Sequence, residues 1–119
     1  MNWPLFVVEA RGGLVGFASG IPCRDHELTG GSVGKLAAIY LLESASGEIV
    51  GTSLLRRCSA EAVERECDAM TLWVREANLR ARELYDVRGF RLGGARAHGA
   101  KLEADEVRTR ADLPIVDAA

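Results

Sequence analysis

Thr71 to Phe90 reads TLWVREANLRARELYDVRGF, and the fold is decided in these residues. Thr71, Leu72, Trp73 and Val74 are consecutive strand formers. A polar connection, Arg75-Glu76-Ala77, leads to Asn78, where the period changes from strand to helix. Ala77, Ala81, Leu84 and Tyr85 recur at helical spacing and share one face. Arg80, Arg82, Glu83 and Asp86 take the other. Gly89, free to adopt positive φ, stops the helix, and Phe90 opens a new apolar run. The unit is strand, Asn-led helix, glycine stop, strand.

Working outward toward the N-terminus, Val33 to Leu42 reads as a strand whose apolar end suits burial on both faces. Between it and Thr71 stand a loop, Glu43 to Gly51, and a helix from Thr52 to about Cys67. Leu54, Leu55, Cys58, Ala62 and Val63 mark the inner stripe of that helix; Arg56, Arg57, Glu61, Glu64 and Arg65 mark its wet side. Earlier still, Trp3 to Val8 and Leu14 to Ile21 are strands joined by a turn at Gly12-Gly13. Pro22 to Ser32 is a polar surface loop. Beyond Phe90, residues 90–100 and 102–113 form a closing hairpin, and the tail after Pro114 is expected to fray. The order is β-β-β-α-β-α-β-β, an α/β (α+β) arrangement without repeats.

A chain of 119 residues fits one domain, 1–119. Its 48% apolar and 27% charged residues are ordinary for a globular protein. A net charge of −2, with basic residues scattered among acids, leaves no electrostatic footprint for nucleic acid. Cys23, Cys58 and Cys67 are odd in number and lack Cys-x-x-Cys spacing, which argues against a disulfide framework or a zinc site. His26 and His98 have no partners at ligand spacing, so no metal is expected. The apolar N-terminus contains Glu9 and Arg11 and has no basic leader region, so it reads as neither signal peptide nor membrane span. The expected setting is cytoplasmic.

The pattern Leu72-Trp73-Val74, Asn78, Ala81, Tyr85, Gly89-Phe90 resembles the fifth strand and fourth helix of the GNAT-type N-acetyltransferases. The resemblance extends over residues 5–113. It implies a mixed, mostly antiparallel sheet with helices packed on it and splayed central strands. The family's first strand and first two helices are not in this reading.

The resemblance also implies acetyl-CoA as co-substrate and an amine, small-molecule or peptide, as acceptor. The pantetheine arm of the co-substrate is expected to add to the strand end Ile39-Tyr40-Leu41 by main-chain hydrogen bonds. The following loop is expected to bind pyrophosphate through backbone N–H groups backed by a helix N-terminus. Aligned on the family loop stand Ser46, Gly47, Glu48, Ile49, Val50 and Gly51, followed by Thr52. Ser46 replaces the family Arg or Gln, and Ile49 replaces a central Gly. A β-branched residue at positive φ is a genuine outlier, so a loop needing that conformation at Ile49 must be rebuilt.

Tyr85 matches the tyrosine that points its hydroxyl at the thioester sulfur, and Asn78 an asparagine that contacts the cofactor; Asn78 also reads as a helix N-cap. Lys35 stands where many relatives carry a glutamate base, and an ammonium is no base unless burial lowers its pKa. Glu43, His26 or a water chain are the substitutes. The acceptor itself is not legible; in the 22–32 loop, the acids Asp25 and Glu27 suit a cationic amine. Two functions remain open: an acyltransferase with Tyr85 as acid, or a GNAT-like domain that has lost CoA binding and serves as an interaction module. A homodimer, or another partner chain, is expected to cover the Trp3–Val8 edge and the sheet face without helices.

Overall fold

The computed structural model describes residues 3–10, 12–23, 32–42, 48–99 and 104–115. Its elements are β1 (Leu5–Ala10), β2 (Gly13–Pro22), β3 (Val33–Leu41), α1 (Glu48–Glu64), β4 (Ala69–Arg75), α2 (Leu79–Asp86), β5 (Arg91–Gly99) and β6 (Ala104–Asp112). The strands form one sheet in the order β1-β2-β3-β4-β6-β5. Every pairing is antiparallel except β3–β4. That parallel pair requires a crossover, and α1 supplies it.

The β1–β2 hairpin turns at Gly12, whose φ of +79° is open to glycine. On β1 the side chains alternate. Phe6 and Val8 pack on the core beneath α1, while Leu5 and Val7 are 59% and 50% exposed on the opposite face. Arg57 of α1 lies over the Phe6 ring at 5.0 Å, and Arg65 lies over Trp3 at the same distance. Trp3 needs a flat floor: a Cβ at Gly20 would meet its ring at 2.8 Å, and one at Gly34 at 3.1 Å.

The core gathers Leu36, Leu54, Leu55, Cys58, Met70, Leu72, Val74, Tyr85 and Phe90. Each fully buried side chain of this size contributes about 1.5–3 kcal/mol by leaving water. Burial pushes the Cys58 thiol up to about 11, so almost no thiolate exists at neutral pH. Iodoacetamide at pH 8 is therefore expected to modify Cys58 only in denaturant; peptide mapping that finds rapid native labelling would contradict this placement.

Four expectations need correction. α1 begins at Glu48, not Thr52, so Glu48, Ile49, Val50 and Gly51 form its first turn rather than a loop. Val63 is 45% exposed, because it lies one residue, and therefore about 100°, beyond Ala62 on the inner stripe. Ile115 packs on the core past the expected point of fraying. The end of β3 is not buried on both faces: Tyr40 is 49% exposed, and the reason lies in the pairing of β3.

Candidate active site

β3 and β4 pair only from Val33↔Ala69 to Leu36↔Leu72. Beyond that rung β3 stays with β2, as far as Gly16↔Leu41. β4 stays with β6, as far as Arg75↔Glu106. The two central strands thus part company after Leu36 and Leu72, and a gap opens between their carboxyl ends. The Leu42 N–H donates to the Val15 carbonyl at 2.8 Å, which fixes the phase of the β2–β3 ladder. In an antiparallel pair, main-chain groups alternate sides. Tyr40 therefore turns its N–H and C=O toward β2, and Ile39 and Leu41 turn theirs into the gap. Unpaired strand groups of this kind are a template for an added extended chain.

Three elements converge at the open end of the gap. A Cβ on Gly51 would meet Leu84 of α2 at 3.0 Å and Leu41 of β3 at 3.3 Å. The absent side chain is what lets the first turn of α1 sit against both. Ile49 is 86% exposed and lies within the helix, where ordinary negative φ suits a β-branched residue. The chain meets the missing glycine by starting the helix earlier. Gly47, Ser46 and Glu43 lie outside the described residues, as does the side chain of Glu48; His26 and the acids Asp25 and Glu27 lie outside as well.

Asn78 caps α2, its side-chain oxygen accepting from the Ala81 N–H at 3.1 Å. The helix ends as expected, with Gly89 at φ +95°. Between these points Tyr85 is buried, 5% exposed, with its ring edge-on to Phe90 at 6.0 Å between centroids. It shares the core cluster with Leu54, Leu72 and Val74. Burial raises its pKa to about 12, so the phenol is protonated throughout the neutral range. Lys35 is half-buried in the paired part of β3, opposite Thr71. Among the described residues no group of three potential metal ligands occurs, and no helix is long and apolar enough to cross a membrane.

Arg88 belongs to none of the motifs read in the sequence. Its Nη2 donates to the Thr52 hydroxyl at 3.4 Å, which joins α2 to α1. Its Nε and Nη1 are shielded from water and have no partner among the described residues. A buried donor left unpaired costs about 1–3 kcal/mol. Main-chain groups at Ile39 and Leu41 without a partner among the described residues, the first turn of α1 and a cation with spare donors make a set that fits an extended, anionic thioester.

The acetyltransferase (GNAT) family profile matches residues 2–90. A ribosomal-protein-alanine N-acetyltransferase from Brucella melitensis is similar in structure. Its TM-score is 0.78 at 26% identity, covering 93% of this chain and 69% of that one. An N-acetyltransferase from Staphylococcus aureus Mu50 gives 0.80 at 24% identity, over 93% of this chain and 68% of the other. A putative acetyltransferase from Salmonella typhimurium, solved with acetyl-CoA, gives 0.77 at 21% identity, over 98% and 68%. The last two likenesses speak for the fold. No curated relative matches the sequence. Profile, topology and splayed strands agree: the chain belongs to the GNAT acetyltransferase family.

Proposed function

We propose that this chain is an acetyl-CoA-dependent N-acetyltransferase that passes an acyl group to an amine acceptor by direct attack. The parting of β3 and β4 after Leu36 and Leu72 carries this reading. A plain structural sheet gains by completing that ladder, and among the described residues Ile39 and Leu41 have no strand partner on the β4 side.

Acetyl-CoA supplies the activated acyl group. Ile39 and Leu41 hold its extended arm by main-chain bonds, while Tyr40 between them keeps its main-chain groups on β2. Glu48, Ile49 and Val50, in the first turn of α1, present backbone N–H groups to its phosphates, with Gly51 and Thr52 directly behind them. Asn78 contacts the arm from the start of α2. The amine nitrogen attacks the thioester carbonyl, the carbon–sulfur bond breaks, and the Tyr85 hydroxyl gives its proton to the departing sulfur. The attacking amine gives up its extra proton to water or to a base. The similarity to a ribosomal-protein-alanine N-acetyltransferase supports a peptide amine as acceptor alongside small-molecule amines.

We place residues 1–119 in a single domain acting in the cytoplasm. A second copy of the chain would cover the edge strand β1, where Leu5 and Val7 lie exposed. The rival reading, a GNAT-like module that has given up CoA, draws on Ser46 and on the burial of Tyr85. Thermal unfolding with acetyl-CoA separates the two. At 100 times its Kd, the ligand should add about 2.7 kcal/mol of stability. An unchanged melting temperature at millimolar acetyl-CoA would leave only the module.

A further inference from the structure

Arg88 lies beside the opening turns of α1, where the proposed site needs positive charge. The family resemblance implies an Arg or Gln where this chain has Ser46. Arg88 comes from a different element, just past the end of α2, and reaches Thr52 in the opening turns of α1. Its nearest acid in sequence, Asp86, is engaged by Arg91 at 3.0 Å. Among the described residues no carboxylate pairs with Arg88, and two of its three nitrogens have no acceptor. A guanidinium held between two helices with spare donors is poorly explained as a fastener. Its single bond to a neutral hydroxyl is long. It is well explained as half of an ion pair whose other half arrives with a ligand, because a planar fork of N–H groups matches phosphate oxygens.

We propose that Arg88 is the cationic contact for a phosphate group of the nucleotide-bearing thioester, supplying from the end of α2 the charge that Ser46 does not supply from the loop. This rests on the acetyltransferase reading above. CoA offers two sources of that phosphate, the diphosphate and the ribose 3′-phosphate, and both present the same chemistry to the guanidinium. Arg88 is a binding and positioning residue; the reacting carbonyl lies at the far end of the arm.

Calorimetric titration of the whole chain tests this, using CoA, 3′-dephospho-CoA and phosphate-free pantetheine as ligands. Arg88→Gln is expected to weaken CoA binding roughly 10- to 100-fold, the range for losing a charge-assisted bond. Arg88→Lys keeps the charge without the fork and should fall between. Pantetheine should bind all three proteins alike. A loss shared by CoA and 3′-dephospho-CoA identifies the diphosphate; a loss confined to CoA identifies the 3′-phosphate.

Melting of the ligand-free proteins guards against a structural role. Arg88→Gln should melt at or above the wild-type temperature, since it removes a buried cation lacking partners. Binding of CoA by Arg88→Gln within twofold of wild type overturns the proposal and leaves the acetyltransferase reading intact. Unfolding of both variants makes Arg88 a fastener and overturns it likewise. Failure of the wild-type chain to bind CoA removes the reading and the proposal together.

Discussion

Replacing Tyr85 by Phe is expected to lower the acetyl-transfer rate by about 10²- to 10⁴-fold, the usual worth of a positioned general acid. The fold should survive, because the ring keeps its place against Phe90 and, among the described residues, the hydroxyl makes no hydrogen bond that is lost. The measurement is kcat with CoA release followed directly; a rate within threefold of wild type would remove Tyr85 from the chemistry.

The same residue sets a pH dependence whose sign can be stated. Burial raises the Tyr85 pKa to about 12 in the folded chain, against about 10 when unfolded. The folded state therefore holds the proton longer. Stability from this group is intact below about pH 10 and falls as pH rises from about 10 through about 12. Urea titrations at pH 8 and pH 10.5 should show a smaller loss for Tyr85→Phe than for wild type.

Phe90→Ala is expected to destabilise the chain by about 3–5 kcal/mol, as for other buried aromatic truncations. Phe90 is 1% exposed and is among the largest fully buried side chains. Its N–H donates to the Tyr85 carbonyl at 3.1 Å, and its ring meets the Tyr85 ring edge-on, so one cavity loosens core and site together. Urea unfolding measures the loss; a value below about 1 kcal/mol would show that the two rings are not jointly packed. Activity per folded molecule should drop as well, since the phenol loses the partner that orients it.

Local chemistry explains which parts of this structure were legible in the sequence. The unit from Thr71 to Phe90 could be read because each boundary has its own residue: Asn78 caps α2 and Gly89 ends the turn after it at positive φ. The splay of β3 and β4 followed from the resemblance carried by Trp73, Asn78, Tyr85 and Gly89-Phe90, and from nothing in the apolar run of β3 itself. The start of α1 was misjudged because Gly51 and Ile49 are poor helix formers by intrinsic preference. Tertiary contact outweighs that preference: Gly51 is where α1 can approach Leu84 and Leu41. Val63 was misplaced because an apolar residue beside a stripe is indistinguishable from one within it over so few turns. Arg88 could not be assigned, since its meaning depends on Thr52, a residue 36 positions away.

The central claim is that the ends of β3 and β4 stand apart and that main-chain groups of β3 are free to take an extended thioester arm. Amide hydrogen exchange at Ile39 and Leu41, followed by NMR with and without CoA, tests it most directly. Tyr40 is the internal control, because its N–H is bonded to β2 in either state. The account predicts fast exchange at Ile39 and Leu41 in the free chain, slow exchange at Tyr40, and protection of the two fast amides when CoA is added. Slow exchange at all three in the free chain, unchanged by saturating CoA, would mean that the ladder is closed and would contradict the account.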